Sequence, residues 1–264
     1  MEIGIFCPAW GMTETDPGVK LQRIKNAGFD GVEMGAPKEK AARRKVKQLL
    51  DQYNLRFIAQ VWTAGTNTEE HMQSLEEQAD YNSELDPLFI NAQTGKDHFS
   101  FKDNLKLLQH ADEVSRKYGV HINQETHRGR FAFAAHVAYG YLKEMPSLTL
   151  TADFSHWCCV SESFLDDQRK YVEAAIGRTM HIHARIGYAE GPQITDPRAG
   201  EWEDALNVHL KWWDEIVAKN RKNNAALQTI TPEFGPAGYL HTLPFTNLPV
   251  ADQWGINCYM KDLL

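Results

Sequence analysis

Thr179-Met-His-Ile-His-Ala-Arg-Ile-Gly187 is the stretch from which the fold of this chain is read. A strand alternates its faces with period two, so His181, His183 and Arg185 share one side while Met180, Ile182 and Ala184 line the other. One face is basic and imidazole-rich; the opposite face is apolar. Such a row at a strand end supplies a metal ligand and a cation for an anionic or hydroxyl-rich substrate. Three other strand-like runs carry a carboxylate to match it: Glu125, Asp153 and Glu233.

Outward from this stretch, a short strand, a polar strand end and an amphipathic helix recur along all 264 residues. Met1 to Phe6 reads as a first strand. After the loop Cys7 to Thr15, Asp16 caps a helix opened by Pro17, with Leu21, Ile24 and Ala27 on one face and Gly28 as its stop. Gly31 to Met34 is the second strand. The helix Lys38 to Tyr53 buries Val46, Leu49 and Leu50 and turns the basic run Arg43, Arg44, Lys45 and Lys47 to solvent. Arg56 to Trp62 is the third strand, before a helix capped by Thr68 with Met72, Leu75 and Ala79 inward. Leu88 to Ala92 is the fourth, and Ser100 with Asp103 forms a capping box ahead of Leu105, Leu108 and Val114. Val120 to Glu125, Leu148 to Asp153, Thr179 to Arg185 and Thr229 to Phe234 complete eight strands. Helical patterns lie around Ala134 to Glu144, Leu165 to Ile176 and Ala205 to Lys219.

Eight such units at a period of about 30 residues, with no linker between halves, predict an α/β chain folded as a single (β/α)8 TIM barrel over residues 1–264. No G-x-G-x-x-G follows any strand, which argues against two doubly wound domains. Val250 to Leu264 reads as an extra C-terminal helix, with Trp254 and Met260 available for packing or for a contact in a homo-oligomer.

The 28 basic and 35 acidic residues leave a net charge of −7, a poor electrostatic footprint for nucleic acid. Phe131 to Leu142, interrupted by His136 and Gly140, is too short to span a bilayer, so no membrane association is expected. The opening Met-Glu-Ile-Gly-Ile-Phe has none of the parts of a signal peptide, and a cytoplasmic protein is expected. Cys7, Cys158, Cys159 and Cys258 show no C-x-x-C spacing and read as reduced thiols.

In a barrel of this kind the site lies at the C-terminal mouth, and there the polar clusters fall. Asn-Gln-Glu-Thr-His-Arg-Gly ends the fifth strand, Thr-Ala-Asp-Phe-Ser-His-Trp the sixth, His-Ile-His-Ala-Arg the seventh and Thr-Pro-Glu-Phe-Gly-Pro the eighth. Three carboxylates and one imidazole form a hard oxygen and nitrogen set suited to Mn²⁺, Mg²⁺ or Co²⁺ and able to hold Zn²⁺. Such an ion clamps adjacent sugar oxygens and stabilises a developing enediolate, while two glutamates flanking the bound carbon remove and return a proton. His183 is favoured as the ligand, with His181 as its structural neighbour. Arg185, His127 and His156 are candidate substrate contacts, their plain alternatives being salt bridges and loop hydrogen bonds. Glu33 ends the second strand within reach of the same pocket. Trp10 and Trp62 can wall a sugar site or simply pack.

These four strand-end motifs, with Gly-Val-Glu at 31–33 and Glu-Phe-Gly-Pro at 233–236, resemble the xylose isomerase-like TIM-barrel superfamily. That group holds sugar phosphate isomerases/epimerases, D-tagatose 3-epimerase-like enzymes and an AP-endonuclease branch. The resemblance covers essentially the whole chain. It implies one divalent metal ion per chain bound by Glu125, Asp153, His183 and Glu233, with Glu125 and Glu233 as the catalytic acid/base pair. It also implies that His156 and an arginine after the strand-seven histidine contact the sugar. Arg185 stands only two residues beyond His183, closer than the epimerase pattern places it. The endonuclease branch adds histidines on strands three and four and an Asp-x-His pair. Here Trp62, Gln93 and Thr195-Asp196-Pro197-Arg198 stand near those places, which disfavours DNA repair.

The expectation is a metal-dependent isomerase or epimerase acting on a sugar, sugar acid or polyol ketone, with the loop Gly187 to Gly200, including Tyr188, Gln193 and Arg198, covering the substrate. The alternatives are a lyase, dehydratase or hydrolase on the same metal, or a carbohydrate-binding barrel with a degenerate site.

Overall fold

The computed structural model describes residues 1–264 and is organised by eight parallel strands that close on themselves in sequence order. They are β1 (Glu2–Pro8), β2 (Gly31–Met34), β3 (Arg56–Trp62), β4 (Ile90–Gln93), β5 (Ile122–Glu125), β6 (Leu150–Ala152), β7 (Thr179–His183) and β8 (Leu227–Thr231). The ring closes where β1 pairs with β8, Gly4 opposite Thr229 and Ile5 opposite Ile230. Around it run α1 (Pro17–Asn26), α2 (Lys40–Tyr53), α3 (Thr68–Ser83), α4 (Phe101–Tyr118), α5 (Ala135–Glu144), α6 (Ser155–Val160), α7 (Arg169–Ile176) and α8 (Glu203–Lys222), with α9 (Gln253–Leu263) as a short additional helix. This is a single (β/α)8 TIM barrel. No helix is long and apolar enough to cross a membrane.

The caps explain where helices begin. Asp16 accepts from the Val19 amide at 3.0 Å, and Ser100 from the Asp103 amide at 3.1 Å. At α3 the cap is Asn67 rather than the expected Thr68: its extended backbone puts the side-chain oxygen 2.9 Å from the Glu70 amide, and Asn is the stronger cap. The inward face of α3 is accordingly His71, Leu75 and Ala79, with Met72 only half-buried. Arg43 is not on a solvated face. It is buried, with Nε and Nη2 on the two oxygens of Glu84 at 2.8 and 2.9 Å, which ties α2 to the end of α3.

The main core is one cluster of 53 buried apolar residues between sheet and helices. Ile182 and Ala184 belong to it, whereas Met180, near the start of β7, is exposed. The barrel interior has only a small apolar plug of Phe6, Ile58 and Phe89. Above it the inward positions turn polar. Two strands, β6 and β8, end earlier than the alternation suggests, because side chains take over the backbone groups. The Asp153 amide donates to Thr126 Oγ1 at 2.8 Å, and the Phe234 amide to Asn257 Oδ1 at 3.0 Å. Asn257 also donates to the Phe234 carbonyl, and Gln253 donates to both the Phe234 and Trp10 carbonyls at 2.9 Å. Thus α9 clasps the loops after β1 and β8. Met260 is buried in the chain's own core and Trp254 lies under the Arg23 guanidinium at 3.9 Å, so both are engaged within the chain.

His209 on α8 ties the outer layer to the mouth. Its Nε2 accepts from the Gly187 amide at 3.2 Å and its Nδ1 donates to the Ala205 carbonyl at 2.8 Å. Burial pushes its pKa down to about 4, against which the Ala205 contact works weakly. The unfolded value is about 6.5, so the folded state binds fewer protons in between. The stabilisation is complete above about pH 6.5 and is lost as pH falls toward 4, amounting to roughly 3 kcal/mol. Urea midpoints against pH are expected to fall over that window, and the slope to flatten in His209→Gln.

Candidate active site

Consecutive strands carry the four residues grouped by the sequence. Glu125 closes β5, Asp153 follows β6, His183 closes β7 and Glu233 lies two residues past β8. All are buried, and each offers a ligand atom such that the four atoms lie within 4.8 Å of one another.

Glu33 lies beneath them. Its carboxylate accepts from His183 Nε2 at 2.9 Å, His181 Nε2 at 3.1 Å, Asn91 Nδ2 at 3.0 Å and Thr231 Oγ1 at 2.5 Å. The sequence places Glu33 within reach of substrate; the structure encloses it, with its oxygens engaged by these donors. What it does is fix the His183 ring. With Nε2 anchored, Nδ1 faces the carboxylates, 2.7 Å from Glu233 Oε2 and 3.8 Å from Glu125 Oε2. His183 Nδ1 and Glu233 Oε2 are thus held against each other by charge, without an aligned hydrogen bond to any other group. An imidazole nitrogen and a carboxylate oxygen brought together beside two further carboxylates, with the far side of the imidazole already anchored, fit a divalent ion with its outer partners in place.

Amides missed in the sequence surround this quartet. Gln93 Nε2 donates to both Glu125 oxygens at 3.1 Å, Asn91 Nδ2 to Glu125 Oε2 at 3.0 Å, and Gln60 Nε2 to Glu233 Oε1 at 3.2 Å. Their signal was available: Asn91 and Gln93 are polar residues at alternate positions of β4. Gln93 thus presents N–H donors, not a lone pair, where the endonuclease pattern needs a ligand.

Arg185 is buried among the site residues. Its Nη2 contacts Asp153 Oδ2, stands 3.4 Å from Glu233 Oε2 and donates to His156 Nε2 at 2.9 Å, while Nε reaches Ser155 Oγ at 3.2 Å. Its guanidinium lies 4.6 Å from the Tyr239 ring, a cation over an aromatic face. His156, read as a loop residue, sits on α6 and is fully enclosed behind Arg185, packed on His127 at 4.0 Å between ring centres. In this structure it positions Arg185 and does not face the cavity.

A cavity of about 240 Å³ opens above the quartet, lined by Trp10, Gln60, Trp62, Gln93, His127, Arg185, Glu233 and Tyr239. Tyr239, from the loop after β8, had no sequence motif to mark it. Its ring meets Trp10 edge-on at 5.0 Å and its hydroxyl is 3.3 Å from His127 Nε2. None of these residues comes from 187–200, the segment expected to cover the substrate. That loop is folded back instead, with the Ile194 amide on the Ile186 carbonyl at 2.9 Å and Gln193 bridging both backbone groups of Gly235. Arg198 pairs with Asp196.

The charges divide the carboxylates. Burial drives Glu125 up to about 7, only partly offset by the charge of His183, with Glu233 and Asp153 adding to the rise. Burial also raises Asp153 despite Arg185. Burial would raise Glu233 too, but the charges of His183 and Arg185 overrule it and its pKa falls. Burial opposes charge on His183, yet Glu233, Glu33 and Glu125 together hold its pKa well above the ordinary value. His127 is pushed down to about 3 by burial and Arg185, so it is neutral at pH 7. These are shifts of the protein groups alone; a cation among them favours carboxylates and displaces the His183 proton.

No curated protein is significantly similar in sequence. Among solved structures, a D-tagatose 3-epimerase-like protein superposes with a TM-score of 0.67 at 14% identity, over 98% of this chain and 96% of that one. The apo form of 3-keto-D-glucoside 4-epimerase from E. coli gives 0.62 at 14%, over 89% and 94%. The IOLI protein, in a structure with a bound zinc atom, gives 0.62 at 14%, over 90% and 91%. At these identities the likeness is one of fold. Residues 21–219 match the family model described as xylose isomerase-like TIM barrel, and the chain belongs to that family.

Proposed function

We propose that this protein is a divalent-metal-dependent isomerase or epimerase of a sugar or related polyol ketone. The observation that carries the reading is the buried quartet Glu125, Asp153, His183 and Glu233, with its ligand atoms within 4.8 Å of one another and the His183 ring anchored from behind by Glu33. These residues would hold Mn²⁺, Mg²⁺, Co²⁺ or Zn²⁺. When bound, such an ion supplies Lewis-acid polarisation of a substrate carbonyl or hydroxyl oxygen.

The protein's own groups supply the rest. Glu233 is the member of the quartet that lines the cavity, and its carboxylate, kept ionised by the charges of His183 and Arg185, is placed to accept a proton from the carbon beside the carbonyl. Glu125 is the second carboxylate of the acid/base pair and returns the proton. Arg185 and His127, both facing the cavity, bind substrate oxygens, and Trp10 and Trp62 wall the ring.

Elemental analysis of protein purified without chelators tests the reading, followed by proton exchange from D₂O across a sugar panel. About one ion per chain is expected. Glu125→Gln is expected to lose it. His183→Ala is expected to weaken binding by more than the roughly 10- to 100-fold typical of losing an outer partner. Equal metal affinity in wild type and His183→Ala removes that histidine from the ligand set, and no ion after reconstitution leaves a binding barrel. Loss of water from the sugar in place of exchange identifies a dehydratase.

A further inference from the structure

The cavity above the quartet is not closed on its β3 side. Trp10, Gln60 and Trp62 also line a second, wider cavity of about 590 Å³ over the ends of β2 and β3, so the two are lobes of one cleft. The inner lobe, at about 240 Å³, is smaller than the roughly 300–1,000 Å³ of sites for drug-sized ligands; the outer one lies within that range.

The ridge between the lobes is aromatic, exposed and held in place. Trp62 is 42% exposed and Trp10 36%. A Cβ on Gly35 would stand 3.3 Å from the Trp62 ring, and one on Gly235 only 2.2 Å from the Trp10 ring. Two glycines thus let the indoles lie on the backbone. Gln78 clamps both backbone groups of Trp62, accepting from its amide at 3.2 Å and donating to its carbonyl at 2.8 Å. Large aromatic faces kept open at a fixed place are platforms for the apolar faces of rings. Tyr81 and Met34 add apolar wall to the outer lobe, while Ser74 and Gln78 add hydrogen-bonding groups.

The charges restrict the ligand further. The cations lining the two lobes are Arg185 and Lys38. Arg185 is already engaged by Asp153 and Glu233, and Lys38 faces Glu77 at 3.9 Å. Neither lobe holds a buried cation left unmatched by a carboxylate, as a built phosphate site needs; Lys38 is exposed to solvent.

We propose that the substrate is a neutral, unphosphorylated two-unit glycoside, one ring in the inner lobe and the second unit on the Trp62 side of the ridge. The proposal rests on the metal-site reading only for which ring reacts. It is tested by calorimetric titration of metal-reconstituted protein with glucose, galactose, glucose 6-phosphate and the disaccharides cellobiose, maltose and lactose. At least one disaccharide is expected to bind ten-fold or more tighter than its monosaccharides, and glucose 6-phosphate no tighter than glucose. Trp62→Ala is expected to reduce that ratio to within about two-fold, and Trp62→Phe to retain most of it. No disaccharide binding tighter than its monosaccharides, including no binding at all, overturns the proposal, as does preferential binding of the phosphate. Metal content measured on the same samples keeps the two readings apart. A disaccharide preference without metal refutes the isomerase and keeps the glycoside cleft; metal without the preference does the reverse.

Discussion

Glu233→Gln is expected to lower kcat for proton exchange at the substrate carbon by roughly 10²- to 10⁴-fold, the contribution of a positioned acid or base. Among the quartet, Glu233 alone combines a place in the cavity wall with a pKa lowered by His183 and Arg185, so it is the ionised carboxylate that meets substrate. The amide keeps the shape and can still meet Gln60 from the other end, but it can no longer take a proton. Losing a ligand weakens metal binding as well, so the comparison is made at saturating metal with single-turnover deuterium wash-in. A variant within ten-fold of wild type under those conditions would falsify the role of Glu233 as base.

Arg185→Met is expected to cost about 3–5 kcal/mol of stability in metal-free protein, the usual result of removing one partner from a buried charge pair. Asp153 is fully enclosed, and its contact with Arg185 is the charge-bearing partner that tempers its burial. Methionine fills much of the volume and supplies no charge. Folded Asp153 then has a pKa higher still, so the deficit is largest above the carboxylate range and shrinks as pH falls, where a protonated Asp153 needs no cation. Added divalent metal is expected to restore part of the loss, since an ion that binds only the folded state stabilises by mass action. Urea denaturation with and without Mn²⁺ at two pH values measures this. A deficit below about 1 kcal/mol, the scale of an exposed pair, means that the guanidinium is not what keeps these carboxylates charged.

The barrel was legible because short strands and amphipathic helices recur at a regular spacing and several helices are stopped or capped by a residue whose chemistry demands it. Gly28, Asp16 and Ser100 are examples. The four strand-end residues were legible for a related reason, since a carboxylate or imidazole where an apolar run ends has no packing role. What escaped was set by long-range partners. Arg43 looked solvated because its bidentate partner Glu84 is 41 residues away. Glu33 looked like a cavity residue because His181, His183 and Thr231, which occupy its oxygens, lie on strands distant in sequence. Tyr239 belongs to a loop with no periodicity. The length of the segment 187–200 suggests a cover, while its attachments to Ile186 and Gly235 depend on how two loops meet.

The clasp of α9 on Phe234 bears on how the protein is made. Glu233 precedes Phe234, and the groups that hold Phe234 belong to Gln253 and Asn257. Both residues are synthesised after all eight strands. The loop that carries the proposed base is therefore secured only by a helix made after the barrel, and a chain lacking α9 would keep every strand while leaving that loop without these partners.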